Sequence, residues 1–157
     1  MVILKKDLLE FEVDPVVPIM LRYAPMVKAR SMYNTPPCFS IYMSGLMFKW
    51  VQAQGGVAEM ERRNREKAGL LYDFIDNSKI YRNPVRREDR SIMNVVFRLP
   101  DEQLTADFVA AAASEGLINL KGHRSAGGCR ASLYNGMPIE GVKKLIEVMK
   151  EFEAANR

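Results

Sequence analysis

From Pro36 to Gln54 the apolar side chains Phe39, Tyr42, Met43, Leu46, Met47, Trp50 and Val51 recur at helical spacing. The stripe predicts a helix that buries one broad face. Thr35 stands before it as an N-cap, and Pro36 suits the first helical position, where an amide N–H would be unbonded anyway. Gly55-Gly56 stops the helix. A second helix, from Val57 to Asn77, carries Met60, Ala68, Leu71, Phe74 and Ile75 as its stripe, and Asp76-Asn77-Ser78 is turn chemistry. Ile92 to Leu99, with Val95, Val96 and Phe97, predicts a strand. Thr105 reads as the cap of a helix from Ala106 to Glu115, ended by Gly116. Leu117–Leu120 and Gly128–Leu133 read as short strands. A last helix from Pro138 to Ala154 shows the clearest stripe: Ile139, Val142, Leu145, Ile146, Met149 and Phe152.

Two helices, a strand, a helix, two strands and a helix make an α+β domain, with helices packed on a small, mostly antiparallel sheet. Ahead of it, Val2-Ile3-Leu4 reads as the end of a buried strand, and Glu10–Pro18 as a surface connection. An independent domain rarely opens mid-sheet, so further sequence is expected upstream.

Composition changes little. The 157 residues are 48% hydrophobic and 27% charged, as in a globular protein. The net charge of +4 and pI of about 9.1 allow a nucleic-acid partner. However, bases alternate with acids along Glu59–Lys67, the pattern of a solvated helix face with i,i+4 pairs. Arg82, Arg86, Arg87 and Arg90 lack the interleaved aromatics of a base-stacking platform, so no nucleic acid is expected. Cys38 and Cys129 form no CxxC, and no histidine cluster joins them, so neither metal nor disulfide is expected. No apolar run reaches the roughly 18–20 residues of a membrane span. Lys5-Lys6-Asp7 interrupts any secretory leader. A cytoplasmic protein without a membrane contact is the expectation.

The candidate chemistry lies between Gly116 and Ile139, which holds Lys121, His123, Arg124 and Arg130 but no Asp or Glu. Cations without an acid, set between glycines, can hold an oxyanion. A guanidinium meets carboxylate or phosphate with two parallel bonds, and glycine lets backbone approach a ligand. Spacing alone leaves open an exposed turn with Gly127-Gly128 as its hinge. A second candidate is Asn34-Thr35, polar groups at a helix start that can face a phosphate; Thr35 as a mere cap is the alternative.

Several segments together resemble the phosphoserine aminotransferase family over nearly the whole chain. They are Tyr33-Asn-Thr-Pro-Pro37, Gly45-Leu46 with Trp50 and Gly55-Gly56, Ile75-Asp-Asn-Ser78 with Tyr81, and Met93-Asn94. Leu120-Lys-Gly-His-Arg124, Gly127-Gly128 and Arg130-Ala-Ser-Leu-Tyr-Asn135 complete the set. The resemblance implies a fold-type-I, pyridoxal-phosphate homodimer that moves an amino group from glutamate to 3-phosphohydroxypyruvate in serine synthesis, and in some bacteria also serves vitamin B6 synthesis. It implies that Asn34 and Thr35 reach the cofactor phosphate of the other subunit. Arg130 would grip the substrate α-carboxylate, and His123 and Arg124 the substrate phosphate or the distal carboxylate of glutamate. The family's cofactor-bonding lysine, pyridine-pairing aspartate and stacking aromatic lie upstream of the segment matched here, so this chain alone is expected to be inactive, with the N-terminal part of the protein as its partner. Residues 1–35 would end the large cofactor-binding domain, and residues 36–157 would form the small C-terminal domain with its leading interdomain helix. The alternatives are a non-catalytic module of the same fold that binds an anion or a partner, and another aminotransferase of that fold.

Overall fold

The structure, a computed structural model, describes residues 2–125 and 127–156. The chain divides into two compact units, Met1–Trp50 and Val51–Arg157.

The first unit consists of short turns. Single 3-10 turns at Lys6–Leu9 and Ile19–Leu21 precede helix α1, Tyr23–Lys28. The Arg22 side chain fastens the proline-rich connection, with Nε donating to the Val17 carbonyl at 2.8 Å and a terminal nitrogen to that of Pro15 at 2.8 Å. None of the unit's described residues is buried. Val2-Ile3-Leu4 is not the expected strand: it is irregular, and Ile3 is 90% exposed. Apolar content does not make a strand without a neighbour for its N–H and C=O groups, and no described residue pairs with this segment.

Helix α2, Cys38–Ala53, runs across the division between the units. It begins later than its stripe suggests. The ring of Pro37 forces Pro36 out of helical backbone, so Thr35 is not the N-cap. The expected apolar face is present, yet no residue of α2 is buried: Phe39 is 76% exposed and Met47 55%. Within this chain the stripe has no cover.

The second unit holds the core. Gly55, at φ 103°, takes the left-handed conformation that ends α2 and opens α3, Gly56–Asn77. Strand β1 is Asn94–Phe97, α4 is Glu102–Ser114, β2 is Cys129–Ser132 and α5 is Ile139–Ala155. β1 and β2 pair antiparallel, with Asn94 opposite Ser132 and Val96 opposite Arg130. Single bridges widen the ribbon on both sides, Arg82 to Arg98 and Lys121 to Cys129, both antiparallel. The expected α+β arrangement is therefore present, with a sheet shorter than its apolar runs.

Tyr81, Phe97, Phe108 and Phe152 interlock edge to face beneath the ribbon, with ring centroids 5.3–5.8 Å apart. The α5 stripe buries Val142, Leu145, Val148 and Met149. The cap of α4 is Asp101, whose carboxylate accepts from the Leu104 N–H at 2.7 Å, rather than Thr105. Thr105 lies inside the helix and donates to the Asp101 carbonyl. Leu117–Leu120 is not a strand. Asn119, at φ 63°, breaks the extended backbone a strand needs.

Candidate functional site

β2 presents two different faces. Cys129 and Ala131 point into the core, and burial pushes the Cys129 thiol up to about 12. Arg130 is exposed on the opposite face, across from Val96. Beside it, the Ser132 hydroxyl donates to Asn94 Oδ1 at 3.2 Å, tying the two strands together on that outward face.

His123 and Arg124 belong to the hairpin that leads into β2. The Gly122 N–H donates to the Gly128 carbonyl at 2.8 Å, the Gly127 N–H to the His123 carbonyl at 2.9 Å, and the Arg130 N–H to the Leu120 carbonyl at 2.7 Å. The closure needs glycine. A Cβ on Gly122 would strike the Gly127 and Gly128 carbonyl oxygens, and Gly127 and Gly128 take φ values of 68° and 64°. Ala126 lies outside the described residues. His123 Nδ1 lies 2.7 Å from the Ser125 hydroxyl and accepts from the Ser125 N–H at 3.3 Å. In the neutral ring that leaves the proton on Nε2, a donor free to meet an oxyanion.

One hairpin thus carries His123 and Arg124 in its turn and Arg130 on the strand it leads into, with Lys121 at its base. Among the described residues none of Lys121, Arg124 and Arg130 is ion-paired. The contrast with the arginines before β1 is informative. Arg87 and Arg90 meet Asp76 at 3.0 and 2.7 Å, Arg86 meets Asp89 at 2.7 Å, and Arg90 lies over the Tyr72 ring. The Arg90 hydrogen bond holds the Asp76 carboxyl below the usual carboxylate range, aided by both arginine charges. Those cations are engaged by neighbouring side chains of the fold. The hairpin cations have no carboxylate partner among the described residues.

Asn34 and Thr35 belong to the first unit and line a cavity of about 370 Å³ together with Tyr23, Ser31, Tyr33 and Pro36. No carboxylate lines it. The Asn34 amide reaches only the Met20 sulfur, at 3.8 Å, a weak acceptor, so its donors remain usable. The turn that delivers these residues is strained, with Arg30 at φ 49° and Ser31 at φ 65°. A lining whose amide and hydroxyls can donate, with no carboxylate among the described lining residues, suits a phosphate.

Sequence reasoning missed the support at the end of β2. Asn64 and Lys67, in the run taken for a solvated face, are both buried. The outer part of that run fits the expectation, with Arg62, Arg63 and Arg65 paired to Glu59, Glu61 and Glu66.

The pattern of class-V aminotransferases matches residues 14–145. The chain belongs to that family. Among curated relatives of this class-V aminotransferase chain, the phosphoserine aminotransferase of Bacillus cereus is 50% identical over 155 residues, 99% of this chain and 43% of the relative. That of Shewanella sediminis is 54% identical, covering 99% and 42%. Among solved structures, the phosphoserine aminotransferase of Bacillus circulans subsp. alkalophilus superposes with a TM-score of 0.89 at 45% identity, over 97% of this chain and 42% of that one. The pyridoxal-phosphate-bound phosphoserine aminotransferase of Trichomonas vaginalis gives 0.85 at 43% identity, over 92% and 42%. The chain therefore spans less than half the length of the relatives it matches. Among the described residues no helix is long and apolar enough to cross a membrane, and no cluster suits a metal ion.

Proposed function

We propose that the chain works as the C-terminal part of a phosphoserine aminotransferase, a cytoplasmic homodimer. Residues 1–35 would end its cofactor-binding domain, and residues 36–157 would form its small domain. The whole protein transfers the amino group of glutamate to 3-phosphohydroxypyruvate, giving 2-oxoglutarate and O-phosphoserine, and a role in vitamin B6 synthesis is open to it. The observation that carries this reading is the cationic hairpin, which gathers His123, Arg124 and Arg130 without a carboxylate.

Glutamate and 3-phosphohydroxypyruvate share an α-carboxylate and differ at the far end, a γ-carboxylate against a phosphate. Arg130, on strand β2, is suited to the shared group, since a planar fork fixes a carboxylate in direction as well as distance. His123 and Arg124, at the hairpin tip, offer an imidazole N–H and a second fork to whichever oxyanion ends the substrate. Asn34 and Thr35 would hold the phosphate of pyridoxal phosphate, which when bound carries the amino group between the two substrates.

The test is steady-state transamination by the complete protein. Activity should favour 3-phosphohydroxypyruvate over unphosphorylated keto acids. Arg130→Ala should raise KM for glutamate and for the keto acid about tenfold or more, the expected size for loss of a charge-assisted contact. An unchanged KM for both would overturn the assignment.

A further inference from the structure

Lys67 sits on α3 and is 3% exposed. Its Nζ donates to the carbonyls of Leu133, Tyr134 and Met137 at 3.3, 2.8 and 3.0 Å. An ammonium has three donors and no acceptor, so every donor is used. Among the described residues no carboxylate pairs with it. Three carbonyl dipoles replace the hydration that burial removes, and burial pushes its pKa down from the ordinary lysine value.

An apolar side chain in its place would leave these three carbonyls without this donor. A lysine differs from methionine here in fixing three backbone oxygens around one point. Those oxygens belong to the chain that leaves β2, three residues beyond Arg130. Leu133 is buried and its N–H donates to the Met93 carbonyl at 2.6 Å, and the Met137 N–H donates to the Tyr134 carbonyl at 2.9 Å, while Tyr134, Asn135, Gly136 and Met137 are exposed. The ladder before it is only four residues long on each strand, and a two-stranded ribbon is marginal by itself. One helical turn earlier on the same helix, the buried Asn64 reaches the same segment, its amide donating to Asn135 Oδ1 at 2.8 Å.

We propose that Lys67 is a positioning residue for Arg130: its buried ammonium pins the exit of β2, and with it the direction in which the guanidinium meets the substrate carboxylate. The inference rests on the carboxylate-binding role given to Arg130 above. Asn64 is the second, weaker pin.

The test compares Lys67→Met, Lys67→Arg and Arg130→Ala in the complete holoenzyme. Lys67→Met should raise KM for both glutamate and the keto acid about tenfold, with a smaller fall in kcat, an unaltered visible spectrum of the bound cofactor, and faster amide exchange across residues 130–137. Lys67→Arg, which keeps a buried cation with several donors, should recover part of the KM. A KM within about twofold of the parent in a folded Lys67→Met protein overturns the proposal. So does a parallel loss of kcat, cofactor spectrum and melting temperature that arginine does not repair, since that describes a purely structural role. Should Lys67→Met fail to fold, Asn64→Leu decides: a raised KM at normal kcat supports the pin, and an unchanged KM removes it. If Arg130→Ala itself leaves KM unchanged, the site assignment falls and the pin falls with it. If Arg130→Ala raises KM and Lys67→Met does not, only the pin falls.

Discussion

The amide of Gly122 donates to the carbonyl of Gly128 at 2.8 Å, and a Cβ on Gly122 would strike the Gly127 and Gly128 carbonyl oxygens. A Cβ on Gly128 would meet the Phe97 carbonyl oxygen at 2.7 Å. This contact sets the width of the hairpin that bears His123 and Arg124.

Gly122→Ala should therefore force the hairpin open while leaving the core beneath it intact. In the complete protein KM for 3-phosphohydroxypyruvate should rise about tenfold, because small misplacements of positioning groups cost up to about a hundredfold. Steady-state kinetics beside a melting curve checks both halves. Normal KM would mean that the tip has no part in binding.

Asp76→Asn should weaken the loop before β1. The carboxylate receives two hydrogen bonds from Arg90, at 2.8 and 2.7 Å, and one from Arg87 at 3.0 Å. The Arg90 pair is mostly shielded, with side chains 14% and 22% exposed, and a loss of about 1 kcal/mol is expected. Because the folded carboxyl titrates below its unfolded counterpart, this stabilisation is complete above the ordinary carboxylate pKa and fades as pH falls through the lowered folded value. Denaturant midpoints of parent and variant should differ at pH 7 and converge on acidification. A gap that widens in acid would contradict the ion pair.

Phe108→Ala removes the ring that touches Tyr81, Phe97 and Phe152 at once. The site is fully buried, so the cost should be about 3–5 kcal/mol, read from a urea transition. A cost near that of a surface substitution would mean that the four rings do not form the core of the second unit.

Thr35→Val should lower cofactor affinity of the complete protein about tenfold, the value of one good phosphate contact. Equilibrium dialysis against pyridoxal phosphate measures it. Equal affinity in parent and variant would remove Thr35 from the phosphate site.

Much of this architecture was legible because it is written at helical or strand period. The α5 stripe and the outward placement of Arg130 between buried Cys129 and Ala131 are of that kind. What escaped depends on neighbours distant in sequence or on local sterics. The start of α2 was misplaced because a second proline excludes the first from the helix. Asp101 displaced Thr105 as a cap because either residue type can accept there, and only backbone geometry chooses. Lys67 was the least legible: it stands in a run of charges, and the carbonyls that receive it lie 66 or more residues away. Of the candidate site, the sequence pointed to the residues proposed to meet oxyanions and left Lys67 and Asn64, which hold the end of β2, unseen.

Glu153, in the last turn of α5, accepts from the Ser78 hydroxyl at 2.9 Å and from the Lys79 N–H at 3.0 Å, 75 and 74 residues back along the chain. On the ribosome these contacts cannot form until α5 has been synthesised. The turn that leads toward β1 must wait for the closing helix to leave the exit tunnel, and a nascent chain stalled inside α5 would hold its aromatic cluster half assembled.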